Sequence, residues 1–126
     1  MTTALADASL RADEQLLLER FVEALDRRLG GGLHGVWLFG SRARGEEPSE
    51  DSDVDLLVFV DDASWEGRMG VRGILDEVAH ELGSDALTWS FSVHVHTLAW
   101  LAQRREIRSF FVAEVDRDKI ELHGAA

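Results

Sequence analysis

The chain's 126 residues, 45% of them hydrophobic, suffice for one compact domain and are too few for two. It has no cysteine, which excludes a disulfide framework and a thiolate metal site; any metal must use Asp, Glu or His, favouring a hard ion such as Mg²⁺. The formal net charge of -11, from 24 acidic and 13 basic side chains, disfavours nucleic acid as a partner and favours basic proteins and divalent cations, although most of the excess reads as a solubility device.

The first residues lack the basic and apolar regions of a signal peptide, and no apolar run approaches the roughly 20 residues that span a bilayer. A soluble cytoplasmic protein is the expectation. In chain order, residues 10–29 read as an amphipathic helix, with Leu18, Phe21, Val22, Leu25 and Leu29 at helical spacing and Gly30-Gly31-Gly32 as its stop. The apolar run Val36-Trp37-Leu38-Phe39 predicts a buried strand. Residues 40–52 are loop-rich with a short helix, and a second strand is predicted over 53–60.

After Asp61-Asp62-Ala63-Ser64 comes a helix with Val71, Ile74, Leu75, Val78 and Leu82 as its buried stripe. Residues 87–96 alternate, which predicts one strand with Leu87, Trp89, Phe91, Val93 and Val95 inward. Its polar face then carries Ser92, His94 and His96. Thr97 is placed to cap one final helix with Leu101, Ile107, Phe110, Phe111 and Val115 as its stripe, and residues 119–122 read as a short edge strand. The whole chain, 1–126, reads as a single domain with its core over about 10–122.

Chemistry concentrates between the first two strands. Gly40 lets backbone approach a phosphate closely, and Ser41 adds a hydroxyl beside the N–H groups of the following turn. Asp53 and Asp55 stand two apart on a strand, so both carboxylates share one face and repel unless a cation lies between them. Either element alone is commonplace. Their succession on adjacent strands is specific.

Gly40-Ser41-Arg42-Ala43-Arg44-Gly45 followed by Ser52-Asp53-Val54-Asp55-Leu56-Leu57-Val58 resembles the signature of the polymerase-beta-type nucleotidyltransferase superfamily. More narrowly, it is similar to the minimal nucleotidyltransferases of bacteria and archaea, some of which act as antitoxins. The resemblance implies an α/β (α+β) fold, a mixed sheet with helices packed on one face and a nucleotide cleft on the other. It implies that Gly40 and Ser41 contact the β- and γ-phosphates while Asp53 and Asp55, as catalytic residues, ligate Mg²⁺. Arg42 and Arg44 either clamp the triphosphate or pair with neighbouring glutamates at the surface.

The implied reaction transfers a nucleoside monophosphate, AMP from ATP or its counterpart from another NTP, to a hydroxyl of a partner. For so small a chain that partner is expected to be a protein, such as a toxin of the helical ribonuclease type, or a second subunit of a two-chain drug-modifying transferase. Homo-oligomers stay open. The superfamily usually has a third carboxylate on the next strand, and here Ser92 stands at that position with His94 and His96 beyond it. The histidines read either as solvated side chains or as a substitute ligand or base, and the missing acid supports an alternative: a catalytically degenerate binding module or antitoxin.

Overall fold

The computed structural model describes residue 5, residues 8–49 and residues 52–124. Helix α1 spans Ala12–Leu29 and buries Leu17, Leu18, Phe21, Val22 and Leu25; it ends at Gly30, whose φ of 52° suits a residue without a side chain. A 3-10 turn at Gly30–Gly32 leads into β1, Leu33–Phe39, which is followed by the single helical turn α2, Gly40–Ala43. Strand β2 covers Val54–Val60 and helix α3 covers Trp65–Glu81, whose first turn is capped by the Ser64 hydroxyl accepting from the Gly67 N–H. These follow the sequence expectations closely.

Two expectations need correction. The alternating segment is a strand only over Phe91–His96, β3; Asp85–Ser90 forms a 3-10 turn. The Thr88 hydroxyl donates to the Asp85 carbonyl at 2.9 Å, and Arg72 donates to the Thr88 carbonyl at 2.7 Å. Those bonds hold the turn and leave Trp89 88% exposed instead of inward. The final helix is two helices, α4 at Leu98–Glu106 and α5 at Phe110–Asp118.

Thr97 caps α4 as expected, but the chain then breaks at Arg108, with φ of 55°, and Ser109 starts a second cap. Leu101, Val112 and Val115 are buried, while Ile107, Phe110 and Phe111 remain exposed. Strand β4, Ile120–His123, closes the chain at the sheet edge as expected.

The sheet has the order β3-β2-β1-β4, with β1 antiparallel to both β2 and β4, and β2 parallel to β3. Alternation divides its residues between two cores. Val36, Leu38, Leu56, Val58, Phe91 and Val95 face α1 and α3. Trp37, Leu57 and Phe59 face Leu101, Val112 and Val115 of α4 and α5. The long helices thus occupy one face, as the α/β expectation has it, and the short pair additionally covers part of the other. The remainder of that second face, beside α5, holds Asp55, Ser92 and His94. No described helix is long and apolar enough to cross a membrane.

Candidate functional site

Strand β1 runs out at Phe39, whose register partner on β2 is Asp55. The next residue, Gly40, turns the chain at φ of 76°, and a Cβ there would overlap the Asp55 carboxylate. Glycine is therefore required twice, by backbone conformation and by contact with an acid. Asp53 lies exposed one residue before β2, and alternation directs it to the side of Asp55.

Burial, followed by the negative charge of Asp53, raises the Asp55 carboxyl above its ordinary range, against the pull of His94, Arg42 and Arg44. This acid carries charge that its surroundings do not neutralise. On the parallel neighbour strand, the register partner of Asp55 is Ser92. The position at which the sequence resemblance expects a third acid thus lies side by side with Asp55 and holds a hydroxyl.

His94 belongs to the same cluster. Its Nε2 lies 3.2 Å from the Ser92 hydroxyl, and its ring stands 5.7 Å from Phe39 and 6.4 Å from Phe111, which themselves meet edge to face at 5.6 Å. It is half-buried among aromatics, not a solvated histidine. His96 departs from both readings, since it stacks flat on Trp100 at 3.6 Å. Burial first, then the charges of Arg68, His94 and Arg104, lower its pKa to about 4, so it is neutral and packed.

The two arginines of the turn part company. Arg42 is 1% exposed and faces away from the cleft. Its Nη1 and Nη2 donate to the Glu14 carboxylate at 2.6 and 3.1 Å, Nη1 also to the Ser9 carbonyl, and Nε and Nη2 to the hydroxyl and carbonyl of Ser52. All five guanidinium donors are used, which corrects the expectation that Arg42 contacts nucleotide. Glu14, which the sequence did not single out, is fully buried; burial alone would raise its pKa, but Arg42 and the Arg11 N–H hold it below its ordinary value.

Arg44 stays at the surface, bonded to Glu46 at 2.5 Å and Asp118 at 3.3 Å. It borders a cavity of about 130 Å³ with Gly40, Phe39, Phe111, Glu114 and Asp118. Ser41 is half-exposed on the same turn. Helix α5 therefore supplies a wall of the site that no sequence motif announced. Its apolar signal, Phe110-Phe111, reads as helix core until the break at Arg108 is known.

Among the described residues, no three Asp, Glu or His side chains are grouped to hold a metal ion. What exists is a pair of hard oxygen donors with unneutralised charge, which fits one divalent cation whose other ligands come from water or a bound phosphate.

The model of a family described as "Nucleotidyltransferase domain" matches residues 18–122. No curated protein sequence matches the chain. Among solved structures, the chain resembles a toxin–antitoxin crystallised with AMP-PNP, at 21% identity and a TM-score of 0.51, covering 85% of this chain and 73% of that one. It is similar also to a mutant of the MntA–HpeT toxin–antitoxin, at 20% identity and a TM-score of 0.50 over the same shares. At such identity these likenesses speak for the fold, and they agree with the family match, which spans the turn, both acids and the strand bearing Ser92. The chain belongs to the nucleotidyltransferase domain family.

Proposed function

We propose that this chain binds ATP, or another nucleoside triphosphate, together with Mg²⁺ and transfers its nucleoside monophosphate to a hydroxyl of a protein partner. The observation that carries this reading is the convergence of three elements on one carboxylate: Gly40 packs against Asp55, Ser92 pairs with it, and Asp53 adds to its charge.

The turn at Gly40 and Ser41 receives the β- and γ-phosphates, because the leading N–H groups of a helical turn have no partner within it. Arg44, held among the described residues by the carboxylates of Glu46 and Asp118, can exchange them for phosphate oxygens. Asp53 and Asp55 would hold the cation, which would supply positive charge where negative charge develops on the phosphate oxygens. The acceptor oxygen forms a bond to the α-phosphorus, the bond to the bridging oxygen of the β-phosphate breaks, and pyrophosphate leaves. The acceptor's proton passes to the Ser92 hydroxyl, whose own proton moves to Nε2 of His94, a ring the two phenylalanines orient.

Labelled ATP, carrying the label on its α-phosphate, tests this with the full chain, Mg²⁺ and a protein co-purified with it. Label should pass to the protein, and His94→Ala should reduce transfer by about 10²–10⁴. The pairing of Asp55 with Ser92 favours a second reading, a module that binds nucleotide without transferring it. Saturable ATP binding with no labelled product would establish that reading and reject the transferase.

A further inference from the structure

Among the described strands, β3 pairs only with β2 and forms one edge of the sheet. Open edges invite an added strand, and proteins usually block them. Here the block is partial: Arg72 donates to the Phe91 carbonyl at 3.0 Å and so covers the strand's first residue. Beyond it a groove of about 410 Å³ opens between β3 and the first half of α3, lined by Trp65, Arg68, Met69, Arg72, Val93 and His96.

The lining is unusual for this chain. Trp65 is 74% exposed, and Met69 is exposed one turn further along α3. Arg68 donates its Nε to the Ala63 carbonyl, and Arg72 has only a distant carboxylate, Asp76 at 3.9 Å. A protein of net charge -11 thus places two arginines, Arg68 and Arg72, at one open strand edge.

From this geometry we infer that the β3 edge groove docks an acidic, extended segment of a partner protein, which adds to the sheet as a further strand. Backbone pairing along β3 supplies affinity, Trp65 and Met69 take alternate apolar side chains, and the arginines select acidic ones. A nucleic-acid strand offers negative charge too, but its phosphates would continue past these two arginines onto an acidic surface. His94 lines both this groove and the candidate site, so a segment seated here is delivered beside Asp55. As a route for the acceptor, the inference rests on the proposed transferase reading; as a docking site it does not.

The full chain is titrated with a labelled peptide of alternating valine and glutamate, with its valine–lysine counterpart and with labelled oligouridylate. Binding is read by anisotropy. The acidic peptide should bind and the basic one should not. Arg68→Glu and Trp65→Ala, both at exposed positions, should each weaken it roughly tenfold.

Calorimetry with ATP and Mg²⁺ on the same preparations reads the nucleotide site separately. Neither variant should change it, which also certifies their fold, and its failure in wild type would strike the proposed function and leave the docking result standing. Binding of oligouridylate in preference to the peptide, peptide binding indifferent to both substitutions, or no binding at all would overturn the inference.

Discussion

Two clusters of charge lie on either side of the same turn, and they are built on opposite principles. Behind it, Arg42 and Glu14 are both buried, with every guanidinium donor and both carboxylate oxygens engaged. In front, Asp53 and Asp55 repel one another, and the half-buried Asp55 is pushed above its ordinary pKa. A satisfied buried pair locks a backbone in place, whereas an unsatisfied pair of acids destabilises the fold unless something else binds it. The motif's most polar residues thus divide their roles. Arg42 holds the turn from behind so that Gly40 and Ser41 can present their backbone in front.

Breaking the rear cluster should have the largest effect. Arg42→Ala leaves the Glu14 carboxylate buried and unpaired, and should cost about 3–5 kcal/mol in urea denaturation. Arg42→Lys should recover little of it, because an ammonium cannot span Glu14, Ser9 and Ser52 together. Next comes the turn itself. Gly40→Ala meets both a φ of 76° and the Asp55 carboxylate, and should lose about 1–3 kcal/mol along with ATP binding. Ser41→Leu sharpens the contrast, since it should change stability by no more than about 0.5 kcal/mol while also abolishing binding.

The front cluster should respond with the opposite sign. Asp55→Asn is expected to raise Tm at neutral pH while removing Mg²⁺-dependent binding. A carboxyl whose folded pKa is raised binds more protons when folded, so its ionisation destabilises the fold as pH climbs through that raised value. The advantage of Asp55→Asn should therefore vanish as pH falls below the ordinary aspartate range, which thermal scans across pH will reveal.

The last effect concerns His96 and is confined to acid pH. With its pKa lowered from 6.5 to about 4, it stays neutral when folded while the unfolded chain takes up a proton. Its stabilising share is complete above pH 6.5 and is lost as pH falls towards 4. His96→Gln should flatten the stability profile in that window, and an NMR titration should find the imidazole of the folded protein neutral at about pH 5.

The contrast between the clusters also marks what was legible in the sequence. Gly40, Asp55 and Ser92 converge as expected, because strand alternation and the order of elements fix which face each residue joins. The direction of Arg42 was not legible, since a one-turn helix has no periodicity from which to read a side chain's aim. Its partner Glu14 lies 28 positions earlier, on the first turn of α1. The aromatic enclosure of His94 was hidden for a related reason. Phe111 reaches it only because the chain breaks at Arg108, and stripe counting across residues 98–118 runs straight through that break. Residues 87–90 misled for the converse reason: their alternation is real, but bonds from Arg72 and Thr88 hold them in a turn.

Central to this account are the unsatisfied acids in front of the turn, as the seat of a metal–nucleotide complex. Calorimetric titration of ATP with Mg²⁺ into wild type and into a variant carrying both Asp53→Asn and Asp55→Asn tests that role directly. Wild type should bind more tightly with Mg²⁺ than without, and the double variant should lose that difference, its affinity falling by roughly tenfold or more, about 1.4 kcal/mol. Equal, Mg²⁺-independent affinity in the two proteins would contradict the account.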